Sequence, residues 1–328
     1  MGFLMTNWLL SSGGRRGALV NILRRAGHEP NRTAVVDSSA FSAAGRLADD
    51  FELVPRVDDP EFCKTVLLIA KRLNTDIIIP TIDPEIAVYA RNADVFRTAG
   101  IDVWVSSIEV AELGFDKWQL YEWLRQHQFP TVDTVEIANV ASVHWRGPVV
   151  AKPRSGSSSI GVRFFNSIAE VREAGLSSDY IVQPHVCGLE VTVDFAVDSG
   201  GRCLGVIPRR RLEVRGGEVS KGVTVFSKEI ISLVESVVAR LPGAYGVLNL
   251  QLFFDPSTRA MNIIEINPRF GGGYPLSHAA GGDLVSALLA SHPDSQHSLI
   301  SWEPGTVMLR YDESVVYSDK AFSRHPWS

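Results

Sequence analysis

The sequence predicts an α/β protein in two parts, a parallel-sheet lobe over residues 1–106 and an α+β unit after it. In the first part, short apolar runs such as Thr33–Val36 and Asp76–Pro80 alternate with helical stretches such as Glu61–Leu73. Strands that alternate with helices in this way form parallel sheets. Later apolar runs follow one another as antiparallel pairs, which does not continue a doubly wound sheet. We therefore predict a domain boundary near residue 107.

Composition narrows the class of protein. The chain has 328 residues, of which 45% are hydrophobic and 21% charged. This hydrophobic fraction is sufficient to form a folded core. With 32 basic against 37 acidic residues the net charge is −5, and no overall positive field is available for nucleic acid. No apolar run reaches the roughly 18 residues of a membrane span. We therefore expect neither nucleic acid nor a membrane as partner.

Cysteine usage and the first residues bear on the compartment. Cys63, Cys187 and Cys203 are odd in number and form no CxxC pair, so neither a disulfide framework nor a zinc knuckle is encoded. The apolar run Phe3–Leu10 is short and lacks a basic flank, which favours a buried strand over a signal peptide. The sequence thus predicts a reducing, cytoplasmic setting.

The first strand is followed by a glycine-rich loop, Ser11–Gly17, and a helix that carries Leu19 on its apolar face. The loop sequence GGRRG lacks the GxGxxG spacing of dinucleotide-binding sites, so a Rossmann-like lobe without nicotinamide binding is expected. Arg15 and Arg16 at the helix start either bind an anion or are two solvated side chains.

The second part carries further predicted elements. Helices are expected over Ile108–Gly114, from Asp116-Lys117 to before Pro130, over Ile168–Gly175 and over Lys228–Arg240. Strands are expected at Pro148–Lys152, Ile160–Phe165, Tyr180–Gln183, Glu190–Val197, Cys203–Pro208, Val247–Phe254 and Met261–Asn267. The stretch from Pro208 to Thr224 is expected to be a basic loop, and the chain after about Tyr317 a poorly ordered tail.

A phosphate-binding segment is the strongest local signal. In VVAKPRSGSSSIGV, residues 149–162, a strand ends in Lys152 and a Gly/Ser loop leads back to a second strand. Loop amides and a lysine charge together hold phosphates. The GxxxxGK[ST] order of a P-loop is absent. The alternative is an ordinary glycine-rich hairpin beside an exposed lysine.

A second segment, YIVQPHVCGLEVTVDF, has the groups that an adenosine needs. Gln183, Pro184, His185 and Val186 offer extended backbone for adenine, and Glu190 offers a carboxylate for the ribose hydroxyls. Many β-hairpins have similar residues, so this segment alone is a weak indication.

A third segment, NLQLFFDPSTRAMNIIEINPRF, predicts a metal-binding hairpin. Glu265, Asn267 and Arg269 alternate with period two and share one face, and a turn at Asp255–Arg259 brings Gln251 opposite them. A carboxylate and two amide oxygens suit Mg²⁺ held chiefly by substrate phosphates. The alternative is a structural salt bridge between Glu265 and Arg269.

Taken in order, Asp116-Lys117, Lys152 with SGSSSIGV, QPHV with Glu190, Gln251 and EINPR resemble the ATP-grasp superfamily. The similarity is greatest to its carbamoyl-phosphate-synthetase-like branch and covers residues 1 to about 312. It implies a Rossmann-like lobe (1–106), a two-lobed ATP-grasp unit (107–312, with a small lobe over about 112–185 and a large lobe over about 186–312) and a tail (313–328).

The resemblance also implies roles for single residues. Lys117 and Lys152 would hold the ATP phosphates under a loop made of Ser155, Gly156, Ser157, Ser158, Ser159 and Gly161. Gln183 with the backbone around His185 would take adenine, and Glu190 the ribose. Gln251, Glu265 and Asn267 would ligate two Mg²⁺ ions, with Mn²⁺ as an alternative. Arg269 would stabilise the transferred phosphoryl group. Gln251 stands where many members have a carboxylate, so the metal would depend more on ATP itself.

Three further places hold candidate substrate contacts. The basic stretch is expected to supply an arginine that, with Lys221, contacts the phosphate or the substrate carboxylate. The candidates are Arg209, Arg210 and Arg211, of which Arg210 is the prediction. Asp83 and Glu85 either bind a substrate amine or cap the following helix. The glycines of residues 271–283 permit a tight loop under the acceptor site, where His278 either orients a nucleophile or caps a helix.

The function implied by the resemblance is an ATP- and Mg²⁺-dependent carboxylate–amine ligase that forms an amide or peptide bond through an acyl phosphate. Its partners would be a small carboxylate and a small amine, and a homodimer is one option for its assembly. Phosphorylation of bicarbonate or carbamate is the alternative reaction. A nucleotide-binding scaffold without turnover is the alternative from another class. Nothing in the sequence identifies either substrate.

Overall fold

The computed structural model describes residues 5–27, 31–156, 160–291 and 300–318. Its first lobe is a five-stranded parallel sheet of order β3-β2-β1-β4-β5. The strands are β1 (Asn7–Ser11), β2 (Arg32–Asp37), β3 (Asp50–Leu53), β4 (Ile77–Pro80) and β5 (Asp102–Val103). The helices are α1 (Gly17–Arg25), α2 (Ala43–Leu47), α3 (Phe62–Arg72) and α4 (Asp83–Thr98). The predicted parallel sheet is therefore confirmed, although α2 and β3 were not expected.

Two helices, α5 (Ile108–Phe115) and α6 (Lys117–Gln126), lead into a four-stranded antiparallel sheet of order β6-β9-β7-β8. Its strands are β6 (Val135–Glu136), β7 (Val149–Pro153), β8 (Arg163–Phe165) and β9 (Tyr180–Pro184), with a 3₁₀ helix at Ile137–Ser142 and helix α7 (Ile168–Glu173). Helix α6 begins where predicted because the Asp116 side chain accepts hydrogen bonds from the amides of Trp118 and Gln119.

The third sheet has six strands in the order β14-β13-β10-β11-β12-β15, and every pairing in it is antiparallel. The strands are β10 (Leu189–Val197), β11 (Cys203–Arg215), β12 (Glu218–Thr224), β13 (Gly246–Phe254), β14 (Met261–Asn267) and β15 (Val307–Leu309). The helices are α8 (Lys228–Val238), α9 (Tyr274–Ala279) and α10 (Leu284–Ala290).

The expected basic loop after Pro208 is wrong. Strand β11 continues to Arg215 and pairs with β12, so the basic residues lie on a hairpin. The physical reason is neutralisation: the Arg209 guanidinium is buried against the Asp194 carboxylate on the neighbouring strand, with the closest N···O distance 2.8 Å. Arginines can therefore sit inside a strand that a charge pattern alone assigns to a loop.

The first lobe and the six-stranded sheet share one apolar core. Trp8 and Leu19 of the first lobe belong to the same buried cluster as Leu204 of β11 and Leu284 of α10. Burial of this kind holds the two parts in a fixed relation. The carboxyl ends of β1 and β4 are thereby brought against the end of β14. Within the described residues, no helix is long and apolar enough to cross a membrane.

Candidate active site

A cavity of about 580 Å³ lies between the four-stranded and the six-stranded sheets. Its wall includes residues that the sequence singled out on five separate segments: Lys117, Lys152, Ser155, Gly156, Gln183, Pro184, His185, Val186, Glu190, Gln251 and Glu265. Gly161 adjoins the cavity, since its chain neighbours Ile160 and Val162 both line it. Ser157, Ser158 and Ser159 lie outside the described residues. The fold therefore collects chemistry-bearing side chains that are up to about 150 positions apart in the chain.

Lys152 is the buried cation of this cavity. It lies on β7 opposite Ile181 of β9, with only 7% of its surface exposed. Burial, helped by the charge of Lys117, lowers the pKa of its ammonium to about 8 against a raising effect of Glu265. Among the described residues no hydrogen bond or ion pair satisfies this ammonium, so it is available to an anionic ligand.

Lys117 approaches the same cavity from the start of α6. Its ammonium donates to the carbonyl of Gly156 at 2.8 Å, and its amide donates to the carbonyl of Arg154 at 2.9 Å. Arg154 in turn pairs with the helix-capping Asp116 at 2.6 Å. These contacts attach the glycine-rich loop to the first turn of α6.

The segment after β9 has the polar backbone that an adenine would need. The side-chain amide of Gln183 donates to the Thr134 hydroxyl at 2.7 Å, and the His185 amide donates to the Pro148 carbonyl at 2.9 Å. Among the described residues, no hydrogen bond uses the amide of Val186. Of the two backbone amides at His185 and Val186, the amide of Val186 is therefore the one that a ligand can use.

The hairpin that the sequence predicts to bind a metal is formed by β13 and β14. Gln251 of β13 pairs directly with Glu265 of β14, and Asn249 pairs with Asn267. The side-chain amide of Asn267 donates to the Asn249 oxygen at 3.2 Å, which orients the Asn267 oxygen. One carboxylate and two amides fit a Mg²⁺ ion that takes its remaining ligands from phosphates. The described residues hold no cluster of three or more His, Cys, Asp or Glu side chains that would bind a metal by itself.

Arg211, rather than Arg210, faces the cavity from the basic hairpin. Its guanidinium pairs with the Glu190 carboxylate and donates to the Gln251 oxygen at 3.3 Å. Neighbouring residues of a strand point to opposite faces, which turns Arg210 away from the face that Arg209 and Arg211 share. Arg210 is not among the residues that line the cavity. The sequence interpretation missed this because it treated the segment as a loop, in which successive side chains do not alternate between two faces.

Lys221 is not brought to the cavity either. Its ammonium pairs with Glu213 at 2.6 Å on an exposed part of the hairpin. It is therefore a surface ion pair, of the kind that contributes little to stability.

Arg269 is bound by the first lobe. Its Nε and Nη2 donate to the two carboxylate oxygens of Asp83 at 2.6 and 2.8 Å. The alternative salt bridge with Glu265 is therefore not the one that forms, and Asp83 is occupied by an arginine. Nη2 also donates to Asn267 at 3.4 Å and Nη1 to the Phe270 carbonyl at 3.2 Å, which leaves one N–H of Nη1 for a ligand.

Glu85 and His278 contact groups at the starts of helices. Glu85 is fully buried and accepts hydrogen bonds from the amides of Thr81 and Ile82 and from the Ser11 hydroxyl, so it caps the start of α4. For His278, Nδ1 lies 3.6 Å from the Asp283 carboxylate, and it is Asp283 that caps α10.

Comparison with known proteins gives this arrangement a family. Residues 115–273 match the ATP-grasp domain family, and residues 8–104 match the PylC-like N-terminal domain family. The chain contains an ATP-grasp domain behind a PylC-like N-terminal domain. The resemblance to the ATP-grasp superfamily inferred from the sequence is thus confirmed, as is the predicted fold class.

Relatives of the ATP-grasp protein fall in several ligase and carboxylase groups. Phosphoribosylamine–glycine ligase of Methanocella arvoryzae is 24% identical, over 80% of this chain and 67% of the relative. N5-carboxyaminoimidazole synthetase of Staphylococcus aureus, solved with ADP, has a TM-score of 0.68 at 16% identity, covering 92% of this chain and 81% of its own. L-amino acid ligase of Bacillus licheniformis has a TM-score of 0.67 at 17% identity, covering 87% of this chain and 73% of its own.

Proposed function

We propose that this ATP-grasp protein is an ATP- and Mg²⁺-dependent carboxylate–amine ligase that forms an amide or peptide bond and releases ADP and phosphate. One observation carries the proposal: a single cavity joins the buried ammonium of Lys152 to the Gln251–Glu265 pair. Phosphoryl transfer asks a protein mainly for positioning and charge neutralisation. The charged and amide groups of this cavity meet both needs without a protein nucleophile.

The nucleotide would lie along the cavity with its phosphates toward Lys152 and Lys117. A buried ammonium without a partner gains most from a phosphate, because its attraction is screened little by water. The adenine would meet the Val186 amide, and the ribose the Glu190 oxygen that Arg211 does not hold. Ser155, Gly156 and Gly161 frame the phosphate end.

Mg²⁺ would be held by Glu265, Asn267 and Gln251 together with ATP oxygens, and when bound it would neutralise charge on the phosphates. Gln251 already accepts a hydrogen bond from Arg211, so its oxygen is oriented toward the shared cavity. Arg269 would direct its remaining N–H at the transferred phosphoryl group. Asp83 fixes that guanidinium before a substrate arrives.

The chemistry proceeds in two balanced steps. An oxygen of the substrate carboxylate attacks the γ-phosphorus of ATP, the bond to the β–γ bridging oxygen breaks, and ADP leaves with its electron pair. The amine nitrogen then attacks the acyl carbon, and phosphate leaves with the electrons of the C–O bond. The proton of the amine passes to solvent. Exclusion of water by the two sheets would protect the acyl phosphate from hydrolysis.

The test is ADP release over a panel of carboxylates and amines, with mass detection of products. The expected result is ADP release that needs an organic carboxylate and an amine, with an amide as product. Turnover with bicarbonate alone would instead support carboxyphosphate chemistry. Nucleotide binding without ADP release across the panel would support a scaffold without turnover.

The assembly and setting are part of the proposal. Small-molecule carboxylate and amine partners suit a cavity of this size. A homodimer is one option for the assembly, and the cytoplasmic location rests on the cysteine usage described above. Gel filtration with light scattering would test the former.

A further inference from the structure

Two further cavities extend toward the first lobe from the cavity of about 580 Å³, which is called the nucleotide cavity below. The inner cavity, of about 120 Å³, shares Arg211, Gln251 and Glu265 with the nucleotide cavity. The outer cavity, of about 850 Å³, shares Arg16 and Glu218 with the inner one. The three spaces therefore form a path from the phosphates to the interface between the first lobe and the six-stranded sheet.

The inner cavity is lined by four arginines, of which three are neutralised. Arg209 pairs with Asp194, Arg211 with Glu190, and Arg269 with Asp83. Arg16 forms no ion pair with a described residue and donates only to the carbonyls of Thr81, at 3.0 Å, and Phe270, at 3.5 Å. Its Nε and one N–H on each terminal nitrogen are left over. Arg16 is thus the arginine of this cavity that has no ion-pair partner among the described residues.

Arg16 and Arg269 lie side by side, because the carbonyl of Phe270 accepts from both guanidinium groups. Burial and the charge of Arg269 together lower the pKa of Arg16 to about 10, against raising effects of the Glu218, Asp83 and Glu85 carboxylates. Two adjacent cations in a partly dry space repel each other, and an anion between them removes that cost. A carboxylate matches the remaining N–H donors in geometry.

The floor of the inner cavity is made by the glycines that follow β14. A Cβ on Gly273 would lie 2.4 Å from an Arg209 nitrogen, and a Cβ on Gly271 would lie 2.9 Å from one. Side chains at these positions would displace Arg209 or fill the cavity. The glycines therefore keep open a space large enough for a carboxylate group.

The outer cavity has room for the rest of an organic acid. Leu19 and Leu47 give it an apolar wall, and its charged residues are partly paired, as in Arg310–Glu218 at 2.7 Å and Arg215–Asp312 at 2.6 Å. Its volume is typical of sites for organic molecules. Bicarbonate, with few heavy atoms and no apolar body, would leave most of it filled with water.

From this path we infer that Arg16 binds the carboxylate of the donor substrate, and that this substrate is an organic acid whose body occupies the outer cavity. The inference rests on the proposed ligase function and adds a specificity-determining residue and a substrate class to it. The carboxylate would lie between Arg16 and the metal-type residues, next to the γ-phosphate. The body of the acid would point away from the nucleotide.

Calorimetric titration of the Mg–ADP complex of the protein tests the inference. The probes are bicarbonate and four acids with different side chains, namely L-alanine, L-leucine, L-phenylalanine and L-glutamate. Each acid is compared with its α-carboxamide. We expect at least one acid to bind about tenfold or more tightly than its carboxamide, because only the acid neutralises Arg16. Arg16→Gln should remove that preference, whereas Arg25→Gln, an exposed charge at the other end of α1, should keep it.

Arg16→Lys is the second variant, since it keeps the charge and should retain part of the preference if Arg16→Gln loses stability. Melting temperatures of all variants separate lost binding from lost folding. The inference is overturned if no acid of the panel binds, if bicarbonate alone binds, or if Arg16→Gln binds acids as the wild type does. Acid binding without ADP release would support the role of Arg16 and refute the ligase function. ADP release with an unchanged KM for the acid in Arg16→Gln would support the ligase function and refute the role of Arg16.

Discussion

Asp83 at the start of α4 and Arg269 just after β14 form a two-pronged ion pair across the interface between the first lobe and the six-stranded sheet, with N···O distances of 2.6 and 2.8 Å. Both side chains are largely buried, at 17% and 13% exposure. The pair orients the arginine that we place against the transferred phosphoryl group. The first lobe would therefore take part in the geometry of the proposed nucleotide site as well as in the proposed substrate binding.

Asp83→Asn should lower kcat by about tenfold or more while the KM for ATP stays nearly constant, because Arg269 would lose its fixed orientation but Lys152 would not. Loss of one partner should also reduce the free energy of unfolding by about 2 kcal/mol, less than for a fully buried pair. Steady-state kinetics and urea unfolding measure the two effects. Asp94→Asn, an exposed ion-paired residue on the same helix, is the control. Equal kinetics in the two variants would contradict the positioning role.

Glu265→Gln should lower ADP release by about 100-fold or more at saturating Mg²⁺, because a neutral amide replaces the carboxylate in the proposed metal site. The side chain keeps its size, so the melting temperature should change little. Glu213→Gln removes an exposed carboxylate of the basic hairpin and should leave turnover unchanged. Near-normal ADP release by the Glu265 variant would show that the metal lies elsewhere.

ATP affinity should fall as the pH rises above about 8, because the Lys152 pKa in the free protein is about 8 and the neutral amine attracts phosphate less. The sign follows from linkage: ATP binding favours the protonated lysine, so above that pKa the protein must take up a proton to bind, and the dissociation constant approaches a tenfold rise for each pH unit. Calorimetry between about pH 7 and pH 9.5 measures this. In Lys152→Arg the charge persists and the slope should disappear. An identical slope in that variant would assign the titration to another group.

Gly161→Ala should raise the KM for ATP about tenfold, because Gly161 has a φ of +79° and an added Cβ would lie 2.8 Å from the Pro153 ring. The strain would shift the strand that carries Lys152. Gly175→Ala is a matched control, since Gly175 also has a positive φ, of +59°, but open space around its Cβ. Kinetics of both variants at equal temperature make the comparison. A similar rise in both would mean that backbone strain alone, away from the phosphates, explains the effect.

The sequence by itself determined the elements whose signals are local. The alternation of apolar runs predicted the parallel sheet of the first lobe, Asp116 predicted the start of α6, and period two in β14 put Glu265 and Asn267 on one face. The order of motifs was enough to recognise the ATP-grasp superfamily. These features depend on neighbours within a few residues, so a single chain reveals them.

Only the tertiary structure decided which charges are paired and which are left over. The roles of Asp83, Arg209 and Arg16 depend on partners far away in the chain, such as Arg269 for Asp83, and no local pattern encodes such contacts. The choice of Arg211 over Arg210 depended on the pairing of β11 with β12, because a strand gives alternate residues opposite faces whereas a loop does not. Electrostatic neutralisation is a property of the assembled interface, so the sequence alone does not reveal which charges remain free to bind a substrate.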